Sequence, residues 1–153
     1  MAKAEWYEGK KGKAEHLAYL NDKAKELQKL LDKEKTMIIR GAAGKKSPLG
    51  GRAKVGDDIY FVETGGDMTV THKGMISNLI ESEKMMPEES SEFIKKYEKE
   101  LNLSKEQYKR WDGKKYLAVY EISELQEIEP FKYNREKNIG DWIITDNINK
   151  IKL

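Results

Sequence analysis

Residues 30–40 read LLDKEKTMIIR, the end of a helical pattern running directly into a strand pattern. Ala24, Leu27, Leu30 and Leu31 fall on one helical face, which predicts an amphipathic helix, and Asn21 or Asp22 offers the side-chain oxygen that caps its first turn. Thr36 to Arg40 is apolar at Met37, Ile38 and Ile39, so this stretch predicts a strand covered on both faces near its middle. Just upstream, His16, Ala18 and Leu20 alternate with Leu17 and Tyr19, the period of a short first strand. Downstream, Gly41 to Gly56 holds five glycines and Pro48, which predicts a loop whose backbone a ligand can approach closely.

The rest of the chain continues the alternation of short strands and helices. Ile59 to Glu63 and Met68 to Ile80 flank Thr64-Gly65-Gly66-Asp67, a hairpin signal. Pro87 followed by Glu88 and Glu89 opens a helix whose apolar stripe is Phe93, Ile94, Tyr97 and Leu101. Ser104 and Gln107 have capping-box spacing for a second short helix ending near Gly113. Tyr116 to Ile122 alternates most regularly of all, and Ile128 and Phe131 around Pro130 predict a separate edge strand. Trp142, Ile143, Ile144, Ile148, Ile151 and Leu153 are expected to seal the core. The expected class is α+β: a small curled or closed mixed β-barrel with two or three flanking helices.

The chain has 153 residues, the size of one domain, read as a polar arm at 1–14 and a single domain at 15–153. It has no cysteine and only His16 and His72 as imidazoles, so neither a disulfide nor a metal centre is expected, and no cofactor is implied. The first fourteen residues lack an apolar run of signal-peptide length and no stretch approaches a membrane span, so a cytoplasmic protein is expected. Net charge is only +2, yet residues 33–54 hold seven basic residues against Glu34 alone. A polyanion would be drawn to that segment.

The helix, strand and basic loop around residues 30–40 resemble the ASCH-type members of the PUA-like superfamily, whose second strand carries a motif of the form G-x-K-T-x-E-x-R. Lys35, Thr36 and Arg40 match it, while Lys33 stands at the glycine position and Ile38 at the glutamate position. The likeness extends to VGDDIYF at Val55 to Phe61, to KKYLAVYEI and to IEPF, and so spans about residues 15–145. The resemblance implies a PUA-like barrel that binds RNA or reads a modified base. One branch of the family hydrolyses acetylated cytidine, using a lysine, threonines and a carboxylate from a neighbouring strand. Here Ile38 occupies the position of the nucleophilic threonine, and Thr69 to Ile80 contains no carboxylate, which argues against that chemistry.

The residues expected to contact nucleic acid are Lys35, Thr36, Arg40, Lys45, Lys46, Ser47, Arg52, Lys54, Trp111 and Lys114. The glycine-rich loop can present backbone N–H groups to phosphate while Lys45, Lys46 and Arg52 neutralise charge. GAAGKKS has a glycine spacing two residues too short for a Walker loop. Tyr108 to Tyr116 interleaves aromatics with Lys109, Arg110, Lys114 and Lys115, a combination that stacks bases and holds phosphates. Each signal has a structural counterpart: a solvated loop, an ordinary ion pair of Arg40 with Glu63 or Glu121, or an anchoring role for Tyr108 and Trp111. His16 and His72 are read as structural. The expected partner is RNA or a modified nucleotide with no membrane or metal, the alternatives being a small amidohydrolase on a modified nucleoside or a protein-interaction domain.

Overall fold

A computed structural model describes residues 14–42, 52–137 and 140–153. The elements run β1 (Glu15–Leu20), α1 (Glu26–Leu31), β2 (Met37–Ala42), β3 (Asp58–Glu63), β4 (Thr69–Glu81), α2 (Pro87–Lys96), α3 (Glu98–Leu101), α4 (Lys105–Trp111), β5 (Tyr116–Lys132) and β6 (Trp142–Thr145), then a 3₁₀ turn at Ile148–Ile151. The six strands form one curled sheet in the order β2-β5-β4-β3-β1-β6. Only β1 and β3 pair in parallel, so the sheet is mixed, as expected. The described helices are four, against the two or three expected.

Strand alternation divides the core. Ala18 and Leu20 of β1, Ile38 of β2, Ile59 and Phe61 of β3, and Ala118, Tyr120 and Ile122 of β5 point into the concave face, where Leu27 and Leu30 of α1 plug it. Met37 and Ile39 point the other way and pack with Ile94, Leu101, Trp111, Leu117 and Val119 against the helices after β4. Strand β2 is therefore covered on both faces, Met37, Ile38 and Ile39 being 6%, 0% and 2% exposed. A third cluster joins Leu17, Tyr60 and Val62 to Ile143, Ile148 and Ile151.

Several local expectations need correction. Asn21 caps a turn ahead of α1, accepting from the N–H of Ala24 at 3.0 Å, and the helix itself starts only at Glu26. Leu31 is 41% exposed and Leu153 82%, so neither belongs to the core. Residues 128–131 are not a separate strand but the far half of β5, which runs unbroken to Lys132. Past Ile122, which donates to the Thr36 carbonyl, partner β2 has ended, and Pro130, without an N–H to donate, has no paired residue on β4 either, so it interrupts no ladder. The capping box stands: Gln107 N–H donates to Ser104 Oγ at 3.2 Å and Ser104 N–H to Gln107 Oε1 at 3.1 Å.

Gly41 lets β2 pass close to α4. A Cβ there would lie 2.9 Å from Trp111 Cε3, 3.0 Å from Leu117 Cδ2 and 3.1 Å from Lys114 Cγ. Gly41→Ala is therefore expected to cost about 1–3 kcal/mol through overpacking, read as a lower urea midpoint at unchanged slope.

Candidate nucleic-acid interface

Arg40 projects from β2, one edge of the sheet, toward β1 and β6 at the other. Its guanidinium donates to the Tyr19 carbonyl at 2.7 Å and to its neighbour Ile39's carbonyl at 2.8 Å. It lies 5.3 Å from the centre of the Trp142 ring, and its Nε is 3.6 Å from Asp141 Oδ2. The same carboxylate oxygen is 3.4 Å from Arg110 Nη2, so one anion is shared by two guanidiniums. Neither Glu63 nor Glu121, the carboxylates expected from sequence, is the partner seen here. The Arg110 guanidinium stacks 4.5 Å from the centre of the Trp111 ring. Tyr19, Asn21, Arg40, Arg110, Trp111 and Asp141 contribute to the walls of a cavity of about 170 Å³.

The residues expected at the interface do not all meet there. Arg40 and Trp111 share this cavity, and Lys114 packs beside them through Gly41. Trp111 is 7% exposed, so it anchors α4 and shows the cavity only part of its ring. Lys35 is 1% exposed: its ammonium donates to the Leu101 carbonyl and lies 3.4 Å from Glu26 Oε2. Burial, the largest influence, lowers its pKa to about 8 against the opposing pull of Glu26. A lysine so held is a structural pin, not a phosphate contact. Lys35 and exposed Thr36 line a different cavity, of about 370 Å³, with Leu30, Ile122 and Glu124. Arg52 and Lys54 are exposed near His16 and Asp57, where Lys54 N–H donates to Asp57 Oδ2 at 3.0 Å. Lys45, Lys46 and Ser47 lie outside the described residues.

His16 is fully buried and its tautomer follows from its partners. The Trp142 indole can only donate, and it reaches His16 Nδ1 at 2.9 Å, so the ring proton sits on Nε2 and is donated to Asp57 Oδ2 at 2.8 Å. Burial lowers the His16 pKa despite Asp57. The imidazole ties β1 to β6 and to the turn before β3, the structural role expected of it.

Sequence reading missed Glu81, Tyr120, Asp141 and Trp142. The carboxylate absent from Thr69–Ile80 comes one residue later: Glu81 pairs with Ala118, which also pairs with Arg40, so Arg40, Ala118 and Glu81 form one row across three strands. Alternation along Tyr116–Ile122 puts Tyr120 on that same face, a signal that was available in the sequence. Among the described residues no group of three His, Cys, Asp or Glu side chains could hold a metal ion, and no helix is long and apolar enough to cross a membrane.

A six-stranded mixed half-barrel plugged by one helix and backed by others is the architecture of the PUA-like domains. Within that class the chain has an ASCH-type fold. It is similar to the crystal structure of ASCH from Zymomonas mobilis, with a TM-score of 0.56 and 17% identity over 77% of this chain and 73% of the other. Two mutants of that protein also match at 17% identity. For one the TM-score is 0.56 over 77% of this chain and 75% of the other, and for the second it is 0.60 over 86% of each. No family model matches the sequence. No curated protein matches it either.

Two stability measurements check these assignments. Lys35→Ala strands buried Glu26 without its cation and is expected to cost about 3–5 kcal/mol in chemical denaturation. For His16, a folded pKa below the unfolded one means the unfolded chain takes up the proton first. Its contribution is intact above about pH 6.5 and is lost as pH falls toward the folded pKa. The urea midpoint should drop between neutral pH and about pH 5.5, and His16→Gln should flatten part of that drop, the remainder belonging to other groups such as His72, whose pKa burial also lowers.

Proposed function

We propose that this domain binds single-stranded RNA at the mouth of the half-barrel. The observation that carries the reading is the single carboxylate oxygen of Asp141 standing 3.4 Å from Arg110 and 3.6 Å from Arg40 beside an aromatic wall. Two guanidiniums converging on one oxygen is how a phosphate is held, and Asp141 stands where that phosphate oxygen would go. Tyr19 and the part of the Trp111 ring that reaches the cavity give an unstacked base an aromatic edge to rest against, which favours single strands over a duplex. Partly exposed Lys114, packed beside Gly41 of β2, adds a further positive charge next to Trp111. The ASCH-type fold supports the same reading, since members of that superfamily are mostly RNA-binding or base-reading domains.

The hydrolase alternative gains little from the geometry. Lys35, which with Thr36 would supply the polar chemistry, is pinned to Leu101 and Glu26, and both line a different cavity from Arg40.

Fluorescence anisotropy with a labelled mixed-sequence RNA tests the reading. Affinity is expected to fall steeply with salt, and Arg110→Ala should lower the log–log salt slope by about one unit. Asp141→Asn, which removes the competing charge and keeps the side-chain shape, should tighten binding several-fold, by about 1 kcal/mol. Absence of salt-dependent binding at micromolar protein, or an Asp141→Asn protein that binds no better than wild type, would overturn it.

A further inference from the structure

Three arginines meet at residues 140–141 and share one carboxylate. Arg40 and Arg110 hold Asp141, while Arg135, from the segment after β5, donates to the Gly140 carbonyl at 2.5 Å. Tyr19 touches both groups: its carbonyl accepts from Arg40, and its ring centre lies 5.3 Å from the Arg135 guanidinium. Among the described residues no carboxylate lies within ion-pair distance of Arg135. Three guanidiniums against the one Asp141 carboxylate leave an excess of two positive charges around two consecutive residues.

The position of Arg135 is fixed. Tyr133 is 1% exposed and its hydroxyl meets that of Tyr19, which ties the chain leading to Arg135 onto β1 while Arg135 itself stays partly exposed. A guanidinium bonded to one carbonyl still has N–H donors to offer, and a neutral amide could donate to a carbonyl just as well. The bond to Gly140 therefore makes no use of the charge. Arg135 also lines a cavity of about 330 Å³ together with Met68, Tyr133, Asn134, Lys132, Asp67 and Glu136. Asp67 and Glu136 repel a phosphate from its interior, so an anion belongs at the guanidinium and the cavity has room for an uncharged sugar.

An excess of two charges fits a run of anions better than a single one. The Asp141 carboxylate marks the first position, between Arg40 and Arg110, and Arg135 marks a second beside the neighbouring residue, with Tyr19 between them. We infer that a single strand leaves the mouth past Tyr19 and that its next backbone phosphate is held by Arg135, so the rim selects a ligand with two phosphates one nucleotide apart. This second position rests on the nucleic-acid reading of the mouth, whose footprint it extends by one nucleotide.

The test compares uridine 5′-monophosphate, uridine 5′-diphosphate and the 5′-phosphorylated dinucleotide of uridine, each titrated into ¹⁵N-labelled wild type and Arg135→Gln. The dinucleotide is expected to bind about tenfold more tightly than the monophosphate, the diphosphate to lack that gain, and Arg135→Gln to abolish it. With long single-stranded RNA, Arg135→Gln should lower the log–log salt slope by about one unit, and Arg135→Lys, which keeps the charge and loses the fork, should retain the wild-type slope. A dinucleotide no tighter than the monophosphate, a gain that survives Arg135→Gln, a diphosphate equal to the dinucleotide, or an Arg135→Lys protein as impaired as Arg135→Gln would overturn the second position. A hexaglutamate peptide that displaces the dinucleotide at equal concentration would overturn it too, by assigning the arginines to an acidic protein. A slope that responds to Arg110→Ala and not to Arg135→Gln removes the second phosphate and leaves the first, whereas RNA binding without salt dependence removes the reading of the mouth itself.

Discussion

The Arg40 guanidinium spans the seam that the sheet leaves open. Strand β2 ends the sheet on one side and β6 on the other, and among the described residues no strand pairing joins them. Arg40 reaches across to the Tyr19 carbonyl, to Asp141 just ahead of β6 and to the ring of Trp142, so one side chain from one edge touches both elements of the opposite edge. A lysine could not do this, because a point charge on a flexible stem lacks the planar fork that reaches two carbonyls and lies over an indole at once. Everything proposed for the mouth of the half-barrel depends on that clasp.

Trp142 is the second organising group. It receives Arg40 and Tyr120 on its ring and donates to His16, whose proton goes to Asp57, so a line of contacts runs from the seam to the turn preceding β3. The buried imidazole works because it is neutral: protonating Nδ1 would set two donors against each other.

The architecture was largely legible in the sequence because short strands announce themselves by parity. Met37-Ile38-Ile39 flanked by polar residues implied a strand covered on both sides, and Tyr116–Ile122 alternated cleanly enough to orient every residue on it. The length of β5 was not legible, because Pro130 looks like a break until the partner strand is seen to end at Met37 opposite Glu121. The site was legible only in part. Arg40 and Trp111 stood out by type and position, but a motif match gave Lys35 and Thr36 the same weight. Parity separates Lys35 from Arg40, and burial then decides between a pin and a contact. Glu81, Asp141 and Trp142 come from segments remote in the chain: the register of the sheet puts Glu81 in the row of Arg40, and its curling brings Asp141 and Trp142 against the guanidinium.

The far half of β5 has a wider implication. Among the described residues, one flank of β5 has no neighbouring strand from Ser123 until the C-terminal segment closes it, where Leu153 N–H donates to the Lys132 carbonyl at 2.9 Å, and such a flank ordinarily invites another copy of the chain to add on. Exposed Glu124, Glu127 and Glu129 would set like charges face to face in such an addition, and Pro130 withholds a donor from it. Charge and a missing donor on this flank both oppose strand addition between copies.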